Sequence, residues 1–137
     1  GMGHLLRLER LTRLELSGTR VGDTGMAAVG RMSSLVTLHL DRTRVGDTGV
    51  SRLSGLEQLE VLGLAATRIS DSSAATLAGL PRLRDLSLST TRISDSGLET
   101  LGEAPRLRNV ELTLTATTRI GRLGLSRSFS LSGDREP

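Results

Sequence analysis

Apolar residues recur along this chain at two alternating spacings. A step of two, as in Leu14 and Leu16, is followed by steps of three, as in Met26, Val29, Met32 and Leu35. The step of two puts both leucines on one face of a short strand, and the steps of three suit a short α or 3₁₀ turn laid against it. The alternation returns every 24 residues. Leu11, Leu35, Leu59, Leu83 and Leu107 form one series, and Leu14, Leu38, Leu62, Leu86 and Val110 a second. Leu16, Leu40, Leu64, Leu88 and Leu112 form a third. The later helical halves read Val50, Leu53, Leu56, Leu59; Ala74, Leu77, Leu80, Leu83; and Leu98, Leu101, Ala104, Leu107. No single unit can bury its own leucines, so the pattern predicts stacked units around one continuous core.

Polar positions share the period. Thr19, Thr43, Thr67, Thr91 and Thr115 follow the strands, and their hydroxyls can bridge backbone groups where strand becomes loop. Arg20-Val21, Arg44-Val45, Arg68-Ile69 and Arg92-Ile93 come next. Asp23, Asp47, Asp71 and Asp95 then stand where a helix N-cap belongs. Gly25, Gly49 and Gly97 follow, with Ser73 in the third unit. Pro81 and Pro105 lie where a helix should stop.

The motif L-x-x-L-x-L-x-x-T-R-[VI]-x-D-x-G resembles the leucine-rich repeat family, whose usual residue at the threonine position is Asn or Cys. Threonine there, followed by Asp-x-Gly, is similar to a subtype of bacterial repeat proteins. The resemblance covers residues 2 to about 115. It implies an α/β fold: a right-handed solenoid with about five short parallel strands on a concave face and short helices or 3₁₀ turns on the convex face. It also implies a protein-binding module without enzymatic activity, with the concave face as the usual contact surface. The expected solenoid spans residues 1–125, with a half-repeat cap at 1–10 and repeats starting near 11, 35, 59, 83 and 107. The half-repeat is either a cap or the edge of a longer array, and an exposed first strand offers an edge for end-to-end self-association. Thr118-Arg119-Ile120 restores the motif three residues late, with Arg122 in the aspartate position. An irregular tail is expected over 126–137, fraying or covering the last rung with Phe129.

Composition narrows the chemistry. The chain has 137 residues, 27 of them leucine, and no cysteine, lysine, tryptophan or tyrosine. That excludes a disulfide framework, a zinc knuckle, a thiol nucleophile and an aromatic platform for stacking bases. The sequence pI of about 11.1 suggests a basic protein, but the net charge is only +3. Residues 1–115 carry 14 arginines against 13 acids. Nothing but arginine titrates above the amino terminus, so the pI is high while the field is weak, and nucleic acid is not the expected partner.

Alternation with the leucines sets the outward side of each strand. It carries Arg13, Glu15, Ser17; Thr37, His39, Asp41; Val61, Gly63, Ala65; Asp85, Ser87, Ser89; and Asn109, Glu111, Thr113. These rows are the candidate partner-binding surface, with a plain solvated sheet face as the competing reading. Arg20, Arg44, Arg68, Arg92 and Arg119 form a second row. An aspartate three residues after each of the first four suggests a surface ion-pair network; the competing reading is a linear strip for an acidic peptide, phosphate or nucleic-acid backbone.

A catalytic serine, histidine and aspartate set is disfavoured, because alternation puts Ser17 beside Asp41 and Ser87 two strands from His39. His39 and His4 read as plain surface residues, and no cofactor or metal spacing is present. The expected function is binding of an unknown protein or peptide partner on the concave face. The first alternative is a recognition array of a larger regulatory or effector protein, similar to ubiquitin-ligase substrate receptors. The second is anion binding along the arginine row. No apolar run of secretory or membrane-spanning length occurs, and cytoplasm is the expected location.

Overall fold

The computed structural model describes residues 10–112 and 130–132. Residues 1–9 of the half-repeat, His4, Thr113, Thr115, Arg119, Arg122 and Phe129 lie outside the described residues. Strands β1 (Arg13–Glu15), β2 (Thr37–His39), β3 (Val61–Gly63), β4 (Asp85–Ser87) and β5 (Asn109–Glu111) pair in parallel, each in register with the next. The leucine series become rungs: Leu14, Leu38, Leu62, Leu86 and Val110 lie side by side. Between strands run α1 (Asp23–Val29), α2 (Asp47–Ser51) with a 3₁₀ turn at Arg52–Gly55, a 3₁₀ turn at Asp71–Ser73 leading into α3 (Ala74–Ala78), and α4 (Asp95–Leu101). This is an α/β solenoid. Among the described residues no helix is long and apolar enough to cross a membrane.

The core is one aliphatic column. Met26, Leu35, Leu53, Leu59, Leu77, Leu83, Leu98 and Leu101 are fully buried, so the steps of three identify the inward side of each helical half. Leu11, Leu14 and Leu16 are only partly covered and pack against the column from its end.

The sheet extends beyond the five expected strands. A sixth, β6 (Ser130–Ser132), pairs in parallel with β5 inside the segment expected to be an irregular tail. It follows Asn109 by 21 residues rather than 24, so it falls outside the period. Ser-Leu-Ser keeps the apolar central residue common to the other strands, and its pairing occupies hydrogen-bonding groups that β5 would otherwise leave open.

Two turns complete each unit. The threonines close the first locally: Thr19, Thr43, Thr67 and Thr91 each donate to the carbonyl three residues back, at 2.6–2.7 Å. Just before them the chain enters the left-handed region at one repeat position, Gly18, Arg42, Ala66 and Thr90, with φ between 55° and 75°. Glycine fits there without strain, whereas a β-branched threonine is held against its preference. Left-handed geometry costs an ordinary residue ~1–2 kcal/mol, and added chain entropy returns ~0.5–1 kcal/mol of any gain from glycine. Thr90→Gly is therefore expected to raise the unfolding free energy by about 1 kcal/mol. A lower urea midpoint for that variant would contradict the strain.

The aspartates act differently from the N-cap role expected of them. Each is the first helical residue, and the cap seats belong to Gly22, Gly46, Ser70 and Ser94. The carboxylates of Asp23, Asp47 and Asp71 reach forward instead and cap the next unit. Asp23 Oδ1 accepts from the N–H of Gly46 at 2.7 Å and of Gly49 at 3.0 Å. Asp47 accepts from the Ser70 N–H and from the Ser70 and Ser73 hydroxyls. Asp71 accepts from the Ser94 N–H and hydroxyl.

This packing also explains the glycine-to-serine change in the third unit. A Cβ at Gly49 would stand 2.5 Å from Asp23 Oδ1 and one at Gly97 2.3 Å from Asp71 Oδ1. Ser73 is tolerated at the equivalent place because its hydroxyl bonds the carboxylate of Asp47 at 2.6 Å.

Candidate functional site: the open sheet face

Parallel register turns the outward strand positions into rows across the sheet. Arg13, Thr37, Val61, Asp85 and Asn109 form one row, and Glu15, His39, Gly63, Ser87 and Glu111 the next. Ser17, Asp41, Ala65 and Ser89 continue the alternation at the strand ends. The structure thus brings all the expected face residues together, apart from Thr113, which is not among those described.

Hydrogen bonds tie neighbouring rungs. Ser17 Oγ donates to Asp41 Oδ2 at 3.3 Å, and the Ala65 N–H donates to Asp41 Oδ1 at 2.8 Å. Ser87 and Ser89 both donate to Glu111 Oε1 at 3.2 Å, and Asn109 Nδ2 donates to Asp85. Arg84, at the rim, lies 3.1 Å from Asp85 and 3.9 Å from Glu60. The side chains are therefore held in place by their neighbours.

Electrostatically the face is acidic, with Glu15, Asp41, Asp85 and Glu111 against Arg13. His39 Nδ1 stands 3.8 Å from Asp41 Oδ2. The Glu15 carboxyl is held below its ordinary value, first by hydrogen bonding from the Ser17 side chain and backbone, then by the charges of His39 and Arg13. At the centre, Val61 and Gly63 leave a shallow hollow of about 240 Å³ rimmed by His39, Asp41, Asp85, Ser87 and Glu111. Asp41 leans over Gly63, where a Cβ would come within 2.6 Å of its carboxylate.

Nucleophilic catalysis finds no support in this arrangement. The register keeps Gly63 between His39 and Ser87, and Ser87 bonds to Glu111. Ser17 bonds to Asp41 and Ser89 to Glu111, so none of the three face serines is presented to the histidine as a nucleophile would be.

The arginine row differs from its leading expectation. Arg20, Arg44, Arg68 and Arg92 are exposed, and none makes an ion pair with an aspartate among the described residues. Asp23, Asp47 and Asp71 point instead at the N–H and hydroxyl groups of the next unit. Those donors are short and fixed, while a surface ion pair is worth only ~0–1 kcal/mol and must order a long side chain. The backbone of the row is well anchored. The N–H groups of Arg44, Arg68 and Arg92 donate to Val21, Val45 and Ile69 at 2.9–3.1 Å, and bridges Gly22–Arg44, Gly46–Arg68 and Ser70–Arg92 make a second narrow parallel ladder. Arg119 lies outside the described residues.

Comparison with known proteins agrees with this architecture. One leucine rich repeat model matches residues 33–93 and a second matches residues 10–30. A crystal structure of internalin C2 from Listeria monocytogenes is similar with a TM-score of 0.76 and 25% identity, over 96% of this chain and 55% of that one. Another internalin of that organism is similar with a TM-score of 0.55 and 19% identity, over 92% of this chain and 48% of its own. A structure of leiomodin-1 actin-binding site 2 shares the fold at 11% identity and a TM-score of 0.55, over 93% of this chain and 74% of that one. The chain spans about half the length of the two internalins. No curated protein matches it by sequence.

Proposed function

Because the chain belongs to the leucine-rich repeat family, whose domains are generally protein-interaction modules, we propose that it binds a protein partner on the open sheet face. The observation that carries this reading is the set of hydrogen-bonded acidic and polar rows around the hollow at Val61 and Gly63. Side chains already held in place lose little freedom on binding, which favours affinity. The acidic rim favours a basic or amide-rich segment, and the hollow admits one side chain from it. The activity expected is binding and not catalysis. A recognition array within a larger protein would use the same face.

The test is affinity capture with wild type and with an Asp85→Ala, Glu111→Ala double variant. Any partner recovered by wild type should bind the variant about tenfold more weakly, a change of ~1.4 kcal/mol. Identical partners at equal affinity would place the contact elsewhere.

A further inference from the structure

The arginine row is a built feature without an internal role. Four guanidinium groups recur at one repeat position, all exposed, and none is neutralised by an aspartate among the described residues. Asp23, Asp47 and Asp71, beside the first three, are occupied as forward caps. Parallel bridges at Arg44, Arg68 and Arg92 fix the rung spacing there at the ladder distance of ~4.8 Å. Four like charges at that spacing repel one another, and a complementary anionic array would relieve the repulsion.

The spacing selects the occupant. An α-helix rises ~1.5 Å per residue, so carboxylates at positions i, i+3, i+7 and i+10 stand at ~4.5, 10.5 and 15 Å along its axis. The rungs stand at ~4.8, 9.6 and 14.4 Å. An extended strand repeats its face every ~6.6 Å and falls out of step by the third rung. A nucleic acid draws on a long-range basic field, which residues 1–115, with 14 arginines and 13 acids, do not generate. We propose that Arg20, Arg44, Arg68 and Arg92 form a docking strip for an acidic helical segment of a protein partner, one carboxylate per rung. Arginine suits the task because its planar fork can hold a carboxylate by two parallel hydrogen bonds. This strip is separate from the acidic sheet face, which would repel the same peptide.

Fluorescence anisotropy on the full chain in physiological salt tests this with three labelled probes. One is a helix-forming peptide with glutamates at i, i+3, i+7 and i+10. The second is its isomer with glutamates spread around the helix, and the third is a single-stranded oligothymidylate. The patterned peptide should bind about tenfold more tightly than either other probe. Arg44→Gln, Arg68→Gln, Arg92→Gln should weaken it about tenfold. The same charge removed elsewhere, by Arg31→Gln, Arg52→Gln, Arg106→Gln, should leave it within about twofold. Circular dichroism confirms that both variants stay folded. Equal binding of the two peptides, tighter binding of the oligonucleotide, or equal losses in the two variants would each overturn the strip.

Discussion

Leu62→Ala should lower the unfolding free energy by about 3–5 kcal/mol, a large share of the ~5–15 kcal/mol that stabilises a typical domain. Leu62 is 1% exposed and stands in the middle of its rung, with Leu38 on one side and Leu86 on the other. The backbones of those neighbours are held at ladder spacing, so they cannot close over the missing atoms, and a cavity remains. Leu14→Ala removes the same atoms at the end of the same rung, where the side chain is only partly covered. Its cost should be ~1–2 kcal/mol, close to the transfer term alone. Urea unfolding of the two variants checks the difference. Equal losses would mean that the middle of the column relaxes as freely as its end.

Asp47→Ala is the second large effect, about 2–3 kcal/mol. It removes the acceptor for the Ser70 N–H at 2.8 Å and for the Ser70 and Ser73 hydroxyls, leaving three donors of the next unit without their partner. Asp47→Asn keeps one acceptor oxygen and should lose less. The same site makes stability depend on pH. Burial would raise the Asp47 carboxyl, but hydrogen bonds from the Ser70 and Ser73 side chains and the Ser70 backbone outweigh it and hold the group below its ordinary value. A carboxyl depressed in the folded state contributes stability that is present above the unfolded value of ~3.9 and lost as pH falls through the folded one. Wild type should therefore lose stability below about pH 4, and the difference between wild type and Asp47→Asn should narrow there. Parallel curves down to pH 2 would show that this carboxylate carries no linked proton.

The core and the rows of the sheet face were legible because both follow from periodicity. A step of two and a step of three assign each leucine to the strand or the helical layer, and the residues between Leu14 and Leu16, or Leu38 and Leu40, must face outward. The partner of each aspartate was not legible in the same way. Arg44 is three residues from Asp47 along the chain, whereas Ser70 is 23 away, and only the offset between stacked turns brings the latter close. Serines at 70, 73 and 94, where the first two units have glycine, were the available signal. The left-handed turn was hidden for a similar reason, since only Gly18 announces it and Arg42, Ala66 and Thr90 adopt it under compulsion from their neighbours. The sixth strand escaped because Ser130 breaks the 24-residue count.

The forward reach of the aspartates gives the array a direction. Asp23, Asp47 and Asp71 each serve the unit that follows, so donor and acceptor sit in consecutive units. A gene duplication of one whole period, begun at any point in the repeat, copies both halves of that relation and breaks none of its bonds. Deletion of one period is equally silent at this joint. The number of rungs is therefore free to drift between relatives, and with it the length of whatever surface the rungs display.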